Sequence, residues 1–206
     1  MSSRTDERQA GFGYGKAVAT PAGRHLPGEP GIWVFVLGDL LLFSCFFVVF
    51  AYERRHHPAL FHSGQQTLNL TIGTINTVLL LTSSLFVAWA TTMVRTGSTA
   101  RGRALLVPAF ACGLVFVCAK AVEYTRLVGD GHQAETNDFF GYYFVFTGLH
   151  LVHVITGLAF LAAIWVWTSK PRVLPHETRL IEGGATYWHL VDLLWMVLFS
   201  LLYLSN

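Results

Sequence analysis

Seven ionisable side chains, Asp39, Lys120, Glu123, His150, His153, His189 and Asp192, sit inside otherwise apolar stretches of the chain. A charged group at the centre of a bilayer costs at least ~2.5–3.5 kcal/mol on insertion scales, so such residues face other helices and are candidate functional sites. Lys120 and Glu123 are three residues apart, which puts them on one helix face and lets them pair. His150 and His153 are one helical turn apart, and so are His189 and Asp192. Imidazoles at this spacing can ligate metal or carry protons, and a carboxylate can orient an imidazole. Asp39 stands alone in "WVFVLGDLLLFSCFF", where it can bind a neighbouring helix, handle a proton, or contact lipid or a partner. Satisfied packing histidines and a structural carboxylate are the competing readings throughout.

The elements that must position these groups follow from composition. The chain has 206 residues, 53% hydrophobic and 13% charged, as in an integral membrane protein and unlike a soluble domain. Apolar runs of about 20 residues signal spanning helices. Five qualify, at about 31–52, 71–94, 104–128, 139–167 and 183–204, so the expected fold is all-α with five transmembrane helices. The fourth run is long enough to tilt or project beyond the hydrocarbon core. Residues 1–30 are polar, Gly-rich and mixed in charge, and read as a mobile cytoplasmic arm; 31–206 read as one membrane domain. Lys16, Arg24, Arg95, Arg101, Arg103, Lys170, Arg172 and Arg179 fall on one side of these spans, against Arg54, Arg55 and Arg126 on the other. Positive residues stay inside, which predicts an N-terminus inside and a C-terminus outside. Cys45, Cys112 and Cys118 form no CxxC motif and read as buried small hydrophobes.

Residue counting along the spans brings four polar groups to similar depth. Asp39 falls ~12 Å from the inner end of its helix, His153 ~9 Å, His189 ~9 Å and Asp192 ~13 Å, at 1.5 Å per residue. A carboxylate–imidazole contact is expected in this layer, with His189 and Asp192 as the first candidates. Trp188 and Trp195 are seven apart, share a stripe, and are expected to pack inward or on a partner. Two other functions compete. A b-haem electron-transfer protein would clamp its haem between membrane histidines, but would crowd it against "LLWMVLF". A small proton-coupled transporter would use the same carboxylates and histidines, but inverted repeats and broken helices are not visible.

"INTVLLLTSSLFVAW", "KAVEY", "TGLHLVHVITGL" and "YWHLVDLLWMVLFSLLYL" occur in the order seen in subunit III of the haem-copper oxidases. The chain resembles that family from about residue 27 onwards, with Asn76, Glu123, Glu182, Trp188, His189, Asp192 and Trp195 among the matching positions. It looks like a five-helix form, shorter than seven-helix members with two further N-terminal helices. "HLPGEPGIWVFVLGD" and "TNDFFGYYF" look most like the subunit-III relative associated with bacterial nitric oxide reductases; Asp39 stands where oxidase members commonly carry Glu. The resemblance implies a non-catalytic subunit in a bacterial inner membrane, packed on a haem-containing catalytic partner that holds all haem and metal. It also implies bound phospholipid. The phenylalanines of the first helix (Phe35, Phe43, Phe46, Phe47, Phe50) are expected to pack acyl chains, and Arg95, Arg101 or Arg103 to meet a headgroup.

Overall fold

The computed structural model describes residues 30–170 and 174–204; the arm up to residue 29, and Arg172, lie outside the described residues. Six α-helices follow in order: α1 (Pro30–His56), α2 (Pro58–Thr67), α3 (Leu70–Arg95), α4 (Thr99–Gly129), α5 (Asp138–Trp167) and α6 (Pro175–Phe199). A π-helical turn, Ser200–Leu204, continues α6. Five of these helices are long and apolar enough to cross a membrane, and α2 is not one of them. They alternate in direction, so Pro30, Arg95, Thr99, Trp167 and Pro175 lie at one end of the bundle. His56, Leu70, Gly129, Asp138 and Leu204 lie at the other.

Chain reversals are fixed by local chemistry. After α3, Gly97 adopts φ 83°, its N–H bonds to the Val94 carbonyl at 3.1 Å, and the Ser98 N–H bonds to that of Met93 at 2.8 Å. Gly131 closes α4 in the same way, with φ 84° and the His132 N–H on the Leu127 carbonyl at 2.8 Å. This left-handed cap satisfies end carbonyls at a conformation that only glycine adopts without strain. Asn69 and Asn137 accept from the amides of Ile72 and Phe140 and start α3 and α5.

Two elements differ most from expectation. α6 begins at Pro175 rather than near 183, because a proline at the first turn and Glu177 Oε2, accepting from the Leu174 N–H at 2.9 Å, start a helix through a polar stretch. α2 is a helix where a loop is expected. Its ten residues are too few and too polar to signal a span, and it is held by burying Phe61 against Phe50 and Phe139.

α3 and α4 form the most extensive pairing. Ser83 Oγ donates to the Ala109 carbonyl at 2.8 Å, and a Cβ on Gly102 would meet the Ala90 carbonyl at 2.8 Å. Small residues of this kind let membrane helices approach to backbone contact. α6 is the hub, meeting α1, α3 and α5. Its Trp188 lies in a slot between Gly157 of α5 and Gly113 of α4; a Cβ would meet its ring at 2.6 Å and 2.8 Å respectively. Among the spanning helices, α1 is attached most lightly. Phe43 and Phe50 of α1 are fully buried against protein, and Phe46 stacks on Phe146 at 5.5 Å, so this aromatic row mainly fastens α1 to α5. Cys45 and Cys118 are exposed on the bundle surface rather than buried, because lipid-facing positions are as apolar as core ones.

Candidate functional site

Polar groups form a column through the bundle. At the Arg95 end, Arg95 Nε lies 3.5 Å from Glu182 Oε1, tying α3 to α6, with the guanidinium side well exposed. Lys170 pairs with Glu177 across the α5–α6 connection. Arg103 lies over the Trp165 ring at 5.7 Å, beside an apolar groove between α4 and α5 lined by Leu106, Val107, Phe110, Leu161 and Trp165. Arg101 is exposed on the first turns of α4.

Deeper in, Asp39 of α1 meets His153 of α5, with Oδ2 to Nε2 at 3.1 Å. His153 Nδ1 donates to the Leu149 carbonyl at 2.8 Å. With Nδ1 carrying a hydrogen, the Nε2–Oδ2 contact is attractive only when one further proton lies between the two groups. That arrangement is either imidazolium–carboxylate or imidazole–carboxylic acid. Both forms leave the pair neutral overall, which suits a buried position. Tyr187 Oη donates to the His153 carbonyl at 3.3 Å, bringing α6 to the same level.

His189 does not bond to Asp192. Its Nδ1 lies 2.6 Å from Ser84 Oγ on α3, and the Asp192 carboxyl faces the same serine while its Oδ1 has no partner. Both α6 residues therefore turn towards α3. Their three-residue spacing signals a shared face but does not name the neighbour, and a serine in an apolar helix carries no signal.

In the middle of the bundle, His150 is fully buried. Its ring packs edge-on to Phe116 at 5.8 Å and tilted on Trp195 at 5.3 Å, and neither nitrogen has a hydrogen-bond partner. Trp195 Nε1 donates to Thr77 Oγ1 at 3.0 Å. The Trp188 ring is enclosed, with its N–H unpartnered. Asn76 is 1% exposed, and both polar atoms of its amide lack partners.

Towards the Gly129 end lies the most complete polar cluster. Lys120 is 1% and Glu123 4% exposed. Lys120 Nζ donates to Glu123 Oε2 at 2.8 Å, Tyr143 Oη at 3.0 Å and Tyr203 Oη at 3.2 Å, which uses all three ammonium hydrogens. Tyr203 Oη donates to the other carboxylate oxygen at 2.6 Å. The ammonium also lies 5.0 Å from the Tyr143 ring centroid and 5.1 Å from that of Trp195, where aromatic faces attract it. The cluster joins α4, α5 and the terminal turn. Tyr143 and Tyr203 were not legible from the sequence, being 23 and 83 residues from the lysine they bind.

Among the described residues, no three His, Cys, Asp or Glu side chains converge as a metal site. His153 has both ring nitrogens engaged, which leaves it unsuited to clamping a haem.

Comparisons with known proteins agree with this architecture. Residues 28–206 match the family described as Cytochrome c oxidase subunit III. The chain is 29% identical over 177 residues to "Cytochrome c oxidase subunit 3" of Thermostichus vulcanus, covering 84% of this chain and 85% of the relative. It is 27% identical over 178 residues to "Cytochrome bo(3) ubiquinol oxidase subunit 3" of Pseudomonas aeruginosa, covering 85% and 84%. "Quinol oxidase subunit 3" of Bacillus subtilis is 27% identical over 176 residues, covering 85% and 86%. Subunits of this family are accessory and leave catalysis and redox cofactors to other subunits. With every described residue inside the matched region, the chain belongs to the cytochrome c oxidase subunit III family.

Proposed function

We propose that this chain is a lipid-binding membrane subunit of a haem-copper-type terminal reductase. It packs on the haem-containing catalytic subunit in a bacterial inner membrane and supports its assembly, stability or turnover. Nitric oxide is favoured over oxygen as the partner's substrate. The observation that carries this preference is the pair of stretches "HLPGEPGIWVFVLGD" and "TNDFFGYYF", with Asp39 at the position where oxidase members commonly carry Glu. The shorter acid meets His153, so the α1 carboxylate works within the subunit rather than at its surface. Purification of the tagged chain from native membranes, with mass spectrometry of co-purifying subunits, tests the preference. A catalytic partner that consumes nitric oxide supports it, and one that consumes only oxygen overturns it.

The N-terminus is proposed to be cytoplasmic, since Arg95, Arg101, Arg103, Lys170 and Arg179 gather at one end of the bundle. At that end the apolar α4–α5 groove beneath Arg103 and Trp165 suits an acyl chain, with the guanidinium near a phosphate. Arg95 is already engaged with Glu182, which leaves Arg101 and Arg103 better placed for a headgroup. A protease or impermeant thiol reagent applied to sealed vesicles tests the orientation.

A further inference from the structure

We propose that the exposed seam between α3 and α6 around His189 is the docking site for one transmembrane helix of another subunit, which brings a hydrogen-bond acceptor to His189 Nε2. This docking rests on the accessory role proposed above and locates the face that serves it. α6 leaves one stripe uncovered: Glu182, Thr186, His189, Leu193, Met196 and Ser200 are exposed or half-buried, and all the remaining residues from Gly183 to Trp195 are buried. The stripe steps alternately by four and three residues, the spacing with which one helix packs along another. Beside Ser84 on α3, Leu81 and Leu85 are exposed too. All but one of the polar groups on the stripe are engaged. Glu182 pairs with Arg95, and the hydroxyls of Thr186 and Ser200 donate to the Glu182 and Met196 carbonyls of α6 itself. His189 Nδ1 lies 2.6 Å from Ser84 Oγ. Its Nε2 has no partner among the described residues and, unlike the enclosed nitrogens of His150, is open to the surface.

Hydrogen placement makes that nitrogen a donor. The Ser84 hydroxyl has one hydrogen. When it goes to His189 Nδ1, the neutral imidazole carries its own hydrogen on Nε2. When it turns to the Asp192 carboxylate, an imidazolium matches the charge of that buried acid, and Nε2 again carries a hydrogen. A protonated Asp192 beside an Nδ1–H imidazole would leave one hydrogen without an acceptor, because Asp192 Oδ1 has no partner and only the other oxygen faces the serine. Depth then selects the occupant. His189 is fourteen residues from Pro175 and fifteen from Leu204, about 21 and 22 Å along the helix. Hydrocarbon at that level offers no acceptor, and headgroup oxygens are out of reach. A carbonyl, hydroxyl or carboxylate side chain on a facing membrane helix supplies one. Leu193 and Met196 give such a helix an apolar surface, and the small Thr186 lets it approach closely.

The test uses the full-length tagged chain in native membranes with its co-purifying subunits. Leu193→benzoylphenylalanine places a photo-crosslinker on the stripe, and Val152→benzoylphenylalanine places one on the exposed face of α5. Irradiation is expected to join the first, and not the second, to a membrane-spanning peptide of a co-purifying subunit, with an acceptor side chain within one turn of the joined residue. His189→Phe should lower the fraction of that subunit retained in detergent roughly three- to tenfold, the value of one interhelical hydrogen bond. His189→Gln, which keeps an N–H at that place, should retain most of it. Leu193→Trp removes no hydrogen bond of the chain and should also release the subunit by blocking close approach, while Val152→Trp should not. That pair decides the matter where His189→Phe fails to fold. Crosslinks from the Leu193 position only to lipid or to a second copy of this chain overturn the proposal, as does full retention with both His189→Phe and Leu193→Trp. A co-purifying haem-containing subunit that joins only at the Val152 position overturns the seam but spares the accessory role, and recovery of the chain with no other subunit overturns both.

Discussion

Each buried charge in this bundle is held in a different way. Lys120 and Glu123 are saturated by each other and by two tyrosines, so the pair links three elements rather than offering a reactive group. Removing one member of a buried ion pair strands the other, typically at ~3–5 kcal/mol, whereas replacing both with apolar groups is often near neutral. Lys120→Leu should therefore lower thermal stability in detergent sharply, and Lys120→Leu with Glu123→Leu should recover most of the loss; a double-mutant cycle measures the coupling. Asp39 and His153 are different, because one proton lies between them. Asp39→Asn can still donate an amide hydrogen to His153 Nε2 and should leave stability within about 1 kcal/mol, while Asp39→Leu should weaken assembly. Reduced turnover of the complex with Asp39→Asn and intact assembly would give that proton a role, and unchanged turnover would make the pair structural. Residue counting put Asp39, His153, His189 and Asp192 at similar depth but could not name partners. Asp39 and His153 meet; His189 goes to Ser84, because a hydroxyl on a facing helix is invisible to spacing on α6.

At the scale of elements, the five spans were legible because a bilayer demands long apolar runs and little else imitates them. α2 was not, since "PALFHSGQQT" is short and polar, and its helicity depends on Phe61 finding Phe50 and Phe139. The start of α6 was hidden for a related reason: capping, not apolarity, begins that helix. Of the two glycines that flank His150 and His153, Gly157 lies in close contact with Trp188, whereas Gly148 has only the Tyr124 hydroxyl, 3.9 Å from an added Cβ. Overpacking such a contact costs typically 1–3 kcal/mol. Gly157→Val should therefore separate α5 from α6 and lower the melting temperature, and Gly148→Ala should leave it nearly unchanged. Equal effects of the two would contradict the Trp188 slot.

For the whole molecule, apolar surface covers most of the bundle, from Val34, Leu37 and Leu41 on α1 to Val152 and Ile155 on α5, as lipid or a partner subunit requires. The light attachment of α1 leaves the Asp39–His153 contact and the ring contacts of Phe43, Phe46 and Phe50 as its principal ties to α5. Asp39→Leu is thus expected to loosen α1 as well as to remove a charge, seen as faster cleavage of α1 by protease in detergent. The central claim is that this chain is an accessory subunit whose partner carries the redox chemistry. Affinity purification of the tagged chain from native membranes, followed by separation of subunits and visible spectroscopy of each, tests it most directly. A haem-containing subunit should co-purify in fixed ratio, and this chain, once separated, should be colourless. Stoichiometric haem or copper retained by the separated chain, or its recovery from membranes with no haem-containing partner, would contradict the claim.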